Sequence, residues 1–148
     1  DKTGIVWWNL RDGWPVISDA IVDYYNSKKM AYYFIKNVQQ DVCVLINDAE
    51  GGNYPLIGTN DTRNVQSGNV TVTDASSGRK IYESTFRIPA NQKVRIASLP
   101  EERGQGIYLI QYQIGNQKFM NHYLYGKAPF NLKEYKRLLQ KTGLYAKK

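Results

Sequence analysis

The sequence predicts a mainly β protein: an immunoglobulin-like antiparallel β-sandwich, preceded by a strand–loop–helix segment and followed by a helix. Three observations carry this expectation. From Asp41 onward, apolar residues alternate with polar ones in about seven short runs, each ended by turn residues. Ahead of Asn37, one stretch has helical rather than strand spacing. After Pro129, the residue order spells out a helix start.

Residues 4–8, Gly-Ile-Val-Trp-Trp, form a short apolar run whose β-branched and aromatic content favours a strand buried on both faces. A turn-rich stretch from Asn9 to Gly13 and then Trp14-Pro15 follow. Met30, Tyr33 and Phe34 recur at helical spacing, and Ser27 is placed to cap that helix. Val42, Val44 and Ile46 then open the two-residue period, with further strands expected over residues 54–59, 70–73, 81–88, 94–96, 107–114 and 119–125. In the clearest of these, Tyr108, Ile110, Tyr112 and Ile114 face one way and Gln111 and Gln113 the other. Gly115-Asn116 is a tight hairpin turn, because glycine takes positive φ without steric cost. Asn131 caps the last helix, with Glu134 placed to reach back to the cap amide and Phe130 and Tyr135 at the staple positions. Leu132, Tyr135, Leu138 and Leu139 form its apolar stripe, which docks on the sandwich, and Gly143 stands just past its last turn.

At 148 residues the chain can bury roughly two-thirds of its unfolded surface and hold a core without staples. Its single cysteine, Cys43, excludes an intrachain disulfide and a multi-cysteine zinc site. No apolar run approaches the roughly 18 residues of a membrane span, and no targeting signal is visible. The chain reads as a piece of something longer. The net charge of +7 is unevenly placed: residues 127–148 hold seven basic groups and one acidic, whereas residues 1–126 hold 13 and 12. A near-neutral body with a basic terminal helix argues a solvated helix face rather than a nucleic-acid platform.

Catalytic constellations are scarce. His122 lies in a predicted strand with no second metal ligand near it in sequence, so a hydrogen-bonded structural role is expected. Cys43, between Val42 and Val44, reads as an inert core thiol. The sequence carries no phosphate loop, nucleophile elbow or dinucleotide fingerprint, and no cofactor or metal is implied. Among the acids, adjacent Glu101 and Glu102 cannot flank a glycosidic bond from opposite sides, whereas Asp12 follows the first apolar run by only four residues. The richest signal is aromatic. Trp7, Trp8 and Trp14 fall within eight residues, and read alone they fit either a core cluster or a face that stacks on sugar rings.

Two stretches carry a resemblance. Gly4-Ile-Val-Trp-Trp-Asn-Leu-Arg-Asp-Gly-Trp-Pro-Val-Ile-Ser18, with Ile21-Val-Asp-Tyr-Tyr25 and residues 28–34, resembles the end of the catalytic barrel in β-mannosidase-like members of glycoside hydrolase family two. Gly58-Thr-Asn-Asp-Thr62, Val70-Thr-Val-Thr-Asp74, and Asn121-His-Tyr-Leu-Tyr-Gly126 with Pro129-Phe130 are similar to the immunoglobulin-like domain that closes bacterial enzymes of this kind. The resemblance implies three parts: residues 1–37 as the last strand and helix of a (β/α)8 barrel, 38–126 as the sandwich, and 127–148 as a basic helix docked on it. It implies that Trp8 forms part of the sugar-binding floor, with Trp7, Asn9, Asp12 and Trp14 around the substrate in the intact enzyme. Asn9 stands where the family has glutamine and Arg11 where it has asparagine. The family's catalytic glutamates lie on earlier barrel strands, so none is expected in this chain.

The function expected is that of a non-catalytic C-terminal domain of a retaining exo-glycosidase, of β-mannosidase or β-galactosidase type. It would brace the barrel and act beside a β-linked glycoside substrate in a periplasmic or secreted enzyme. An autonomous carbohydrate-binding module is the alternative, and a basic domain engaging anionic polymers through residues 133–148 is a third reading. Without the rest of a barrel, residues 1–25 are expected to be irregular or differently paired.

Overall fold

Two-residue alternation of apolar side chains builds two facing sheets that share one core. A computed structural model describes residues 6–143. In chain order the elements are α1 (Met30–Val38), β1 (Val42–Ile46), β2 (Asn53–Asn60), β3 (Gln66–Asp74), β4 (Lys80–Ile88), β5 (Gln92–Pro100), β6 (Gly106–Ile114), β7 (Gln117–Tyr125) and α2 (Leu132–Leu139), closed by a 3-10 turn at Gln140–Thr142. One sheet has the order β1-β2-β5 and the other β4-β3-β6-β7, and every ladder is antiparallel. This is the predicted sandwich.

Register follows burial. Val70 lies opposite Tyr112 and Val72 opposite Ile110, so one face of β3 and β6 enters the core, where Val70, Val72, Tyr108 and Ile110 are fully buried. Val42, Val44, Leu56 and Leu99 meet them from the other sheet. A one-residue slip would turn this whole set to solvent, which is why alternation specifies the pairing. The alternation weakens where both faces are covered. Ile107 is also buried, because Leu138 of α2 packs on it together with Ala75. The β6–β7 hairpin turns at Gly115 with φ 56°, as expected.

Polar side chains close the ends. Asn60 is fully buried; its amide donates to the carbonyls of Asn64, Ile88 and Pro89, and its Oδ1 accepts from the Thr62 amide and hydroxyl. It thereby fastens the β2–β3 loop to the end of β4. Asp74 closes the β3–β4 turn by accepting from the amides and hydroxyls of Ser76 and Ser77 and from the Tyr125 hydroxyl. Burial alone would raise its pKa, but these donors outweigh that and bring it down to about 2.

Several local expectations are corrected. The expected strand over residues 4–8 falls partly outside the described residues. Its described part, residues 6–8, is not a strand: among the described residues no strand pairs with it, and Val6 and Trp8 are exposed. The first helix starts at Met30, not at Ser27. Ser27 instead donates its amide to the Asp23 carboxylate, in a local turn that competes with helix. Asn131 does cap α2, accepting from the Glu134 amide at 3.1 Å. Glu134 does not reach back, because the Arg137 guanidinium one turn on offers it a charged two-pronged partner. Leu132 stays exposed, since α2 rests on the sandwich through Leu138 and Leu139.

Candidate functional site: the aromatic segment ahead of the sandwich

Between residue 6 and α1 the chain forms three short extended pieces. Residues 9–12 run parallel to 21–22, with Ile21 and Val22 donating to the carbonyls of Asn9 and Leu10 and Asp12 donating to Val22. The chain then turns, and the Lys29 amide donates to the Ile21 carbonyl from the other side. Ala20 and Ile21 are buried within this small unit. Residues 6–25 hold only isolated bridges and no strand, so the described part of this stretch is irregular.

Trp7 and Trp8 lead into this pairing, and Trp14 lies in the loop that it closes. Trp8 is 79% exposed, Trp14 68% and Trp7 44%, so the three tryptophans do not form a core cluster. Leu10, Val16, Ile17 and Tyr25 of the same segment are exposed as well. Beside it, Pro15, Val16, Ile17, Asp23, Tyr24 and Tyr25 line a shallow depression of about 360 Å³. The Trp8–Asn9 peptide bond is cis. Asn9 is exposed, and Arg11 donates to the Tyr24 carbonyl at 3.1 Å.

Asp12 stands apart from this exposed set. It is 4% exposed and both carboxylate oxygens are used: Oδ1 accepts from the Ser18 hydroxyl, and Oδ2 from Lys29 Nζ at 3.0 Å. Lys29 Nζ also donates to the Ser18 carbonyl at 2.9 Å. The Ser18 hydroxyl first, and then the Lys29 ammonium, hold the Asp12 carboxyl below its ordinary range. Nothing in the sequence reading had linked Lys29 to Asp12. One signal was available: lysine at a helix N-cap opposes the helix dipole and offers no capping acceptor, so its presence there asks for a nearby carboxylate.

The segment joins the sandwich through α1. The Phe34 ring meets His122 edge-on at 4.9 Å, and Asn37 donates to Asn121 Oδ1 at 3.2 Å. His122 packs at this joint, but without the side-chain hydrogen bond expected of it: Nδ1 is buried with no partner among the described residues, and burial pushes the imidazole pKa down. Cys43 is buried beside the Asn121 amide, and burial pushes its thiol pKa up, as an inert core thiol requires. At one end of the sandwich Glu102 pairs with Arg79 at 2.5 Å. The described residues include no group of three or more potential metal ligands. No described helix is long and apolar enough to cross a membrane.

An antiparallel sandwich joined by one short helix to an exposed aromatic segment defines the class: a mainly β domain of sandwich type. Its particular likeness is to β-mannosidases. Over 41 residues, 28% of this chain and 5% of the relative, it is 49% identical to β-mannosidase B of Aspergillus niger. Among solved structures it is similar to the crystal structure of β-D-mannosidase from Dictyoglomus thermophilum, with a TM-score of 0.65 and 28% identity over 80% of this chain. The matched region is 16% of that enzyme. No family model matches the chain. The resemblance read from the two sequence stretches is thus met: in sequence and in fold, the chain is β-mannosidase-like.

Proposed function

We propose that this chain is the non-catalytic C-terminal part of a retaining exo-glycosidase that cleaves β-mannosides. The observation that carries the proposal is the β-mannosidase likeness over 80% of this chain, against only 16% of the enzyme it resembles. In this reading, residues 1–37 end the catalytic barrel, 38–126 form the brace and 127–148 dock on it. The two catalytic glutamates of a retaining mechanism belong to the part of the enzyme outside this chain. Trp8 contributes an aromatic floor on which a sugar ring rests, with Trp7 and Trp14 beside it and Asn9 as a polar contact. The exposed aromatic and aliphatic surface of residues 6–25 supports this, since a face of that character is normally an interaction site. The enzyme would act in the periplasm or outside the cell.

The upstream reading frame tests the proposal. Several hundred continuous residues, with one glutamate ending a fourth barrel strand and another a seventh, are expected. A start codon beside Asp1 would overturn it. The exposure of Trp8 and Trp14 also favours a second reading, an autonomous carbohydrate-binding module. Calorimetric titration with manno- and galacto-oligosaccharides separates the two: a brace does not bind them alone, whereas a module does.

A further inference from the structure

We infer that Lys29 and Asp12 are positioning residues, which latch the start of α1 to the aromatic segment and set where its tryptophans stand. The inference rests on the glycosidase reading for its consequence but not for its geometry. Asp12 had been expected beside the substrate, yet its side chain is only 2% exposed and both oxygens are occupied from within the protein. A carboxylate so enclosed offers almost no surface outside the protein. It can hold a shape.

The latch has three parts. Asp12 ends the piece of chain that carries Trp7 and Trp8, and Trp14 follows it by two residues. Ser18 closes the far side of the Trp14 loop: its hydroxyl donates to Asp12 and accepts from the Ala20 amide at 3.0 Å. Lys29 bridges the two sides, with one ammonium donating to Asp12 Oδ2 and to the Ser18 carbonyl. Two links therefore cross the neck of the loop between Asp12 and Ser18, the direct Ser18–Asp12 bond and the Lys29 ammonium, and Lys29 is the one that also ties it to the start of α1. Removing that cation leaves a buried carboxylate with one of its oxygens unpaired, a costly state that the loop relieves by opening to water.

The chain provides its own reporter. All three of its tryptophans belong to this segment, while the only histidine, His122, sits at the joint between α1 and the sandwich. The test uses the full chain labelled with 5-fluorotryptophan, read by fluorine NMR beside the proton signals of His122. Lys29→Met is expected to draw the three fluorine resonances towards their positions in the unfolded chain, narrowing their spread at least twofold. The His122 signals and the thermal transition of the sandwich should stay in place, and Lys29→Arg should restore the dispersion. Asp12→Asn serves as the second variant, keeping the Ser18 bond while removing the charge, and should narrow the spread as well. Unchanged fluorine resonances in both variants would overturn the latch. So would loss of the His122 signals together with the tryptophan dispersion, since Lys29 would then support folding at large. No sugar enters these readings, so the latch and the glycosidase reading fail separately.

Discussion

Asn60 shows how much one side chain can hold. Its amide and carbonyl serve three carbonyls and two Thr62 donors in a site without water access. Asn60→Ala leaves several of those groups unpaired, at about 1–3 kcal/mol for a buried polar group that loses its partner. Urea unfolding should register a loss of at least that size with an unchanged denaturant slope; a change under about 0.5 kcal/mol would contradict the role. His122 gives a second residue-scale prediction. Its pKa is lowered in the folded state by burial, so the unfolded chain takes up the proton first. Stability should therefore begin to fall as pH drops through about 6.5 and keep falling until the native imidazole also protonates. Asp74 acts at lower pH: its carboxyl, at about 2 when folded, contributes above its ordinary value of 3.8, and that contribution is lost as pH falls towards 2. Unfolding curves from pH 7.5 to 3 on wild type and His122→Phe check the first window; an identical slope in both would contradict it. Residues of this kind were hard to read in the sequence. The asparagine in Gly58-Thr-Asn-Asp-Thr62 belonged to a resemblance, but its five bonds run to β4 and to its own loop, contacts that no local pattern encodes.

At the scale of elements, the strands and the Asn131 cap of α2 were legible, whereas the start of α1 and the partner of Glu134 were not. Period-two alternation is a local record of which face is buried, so seven strands could be placed, with their ends differing by a few residues. The helix starts depend on competition between neighbouring side chains. Ser27 went to Asp23 and Glu134 to Arg137, and both outcomes are set by geometry rather than propensity. For α2 the energy lies in its last turns. Leu138 is 2% exposed and packs with Ile107 and Ala75, so Leu138→Ala should cost about 2–4 kcal/mol and release the helix from the sheet. Leu132→Ala, at an exposed site, should change stability by less than about 0.5 kcal/mol. Thermal unfolding followed by circular dichroism distinguishes the two variants, and equal effects would contradict this docking. Gly106 marks a further element-scale constraint, since a Cβ there would lie 2.6 Å from the Tyr125 ring. Gly106→Ala should therefore push Tyr125 off Asp74 and loosen the β6–β7 pairing.

For the whole molecule, the central contrast is between a closed sandwich and an open aromatic segment. The sandwich satisfies itself: its two inner faces cover each other and α2 covers one outer end. The segment of residues 6–25 does not, leaving Trp8, Leu10, Trp14 and Ile17 largely in solvent. Such a surface makes the isolated chain prone to self-association, and Trp8→Ser with Trp14→Ser should reduce it in analytical ultracentrifugation without lowering the melting temperature of the sandwich. The sequence offered both readings of these tryptophans, core or sugar face, because spacing records which residues are apolar but not what covers them. In the described structure the three tryptophans are exposed rather than packed in a core, and the sugar-face role is part of the proposed function. The most direct test of the proposed role is hydrolysis of an aryl β-mannoside, by the 148-residue chain alone and by the same chain joined to the polypeptide encoded upstream in its reading frame. The account predicts no turnover from the chain alone and clear turnover from the joined protein. Turnover by the chain alone, or none from the joined protein, would contradict it.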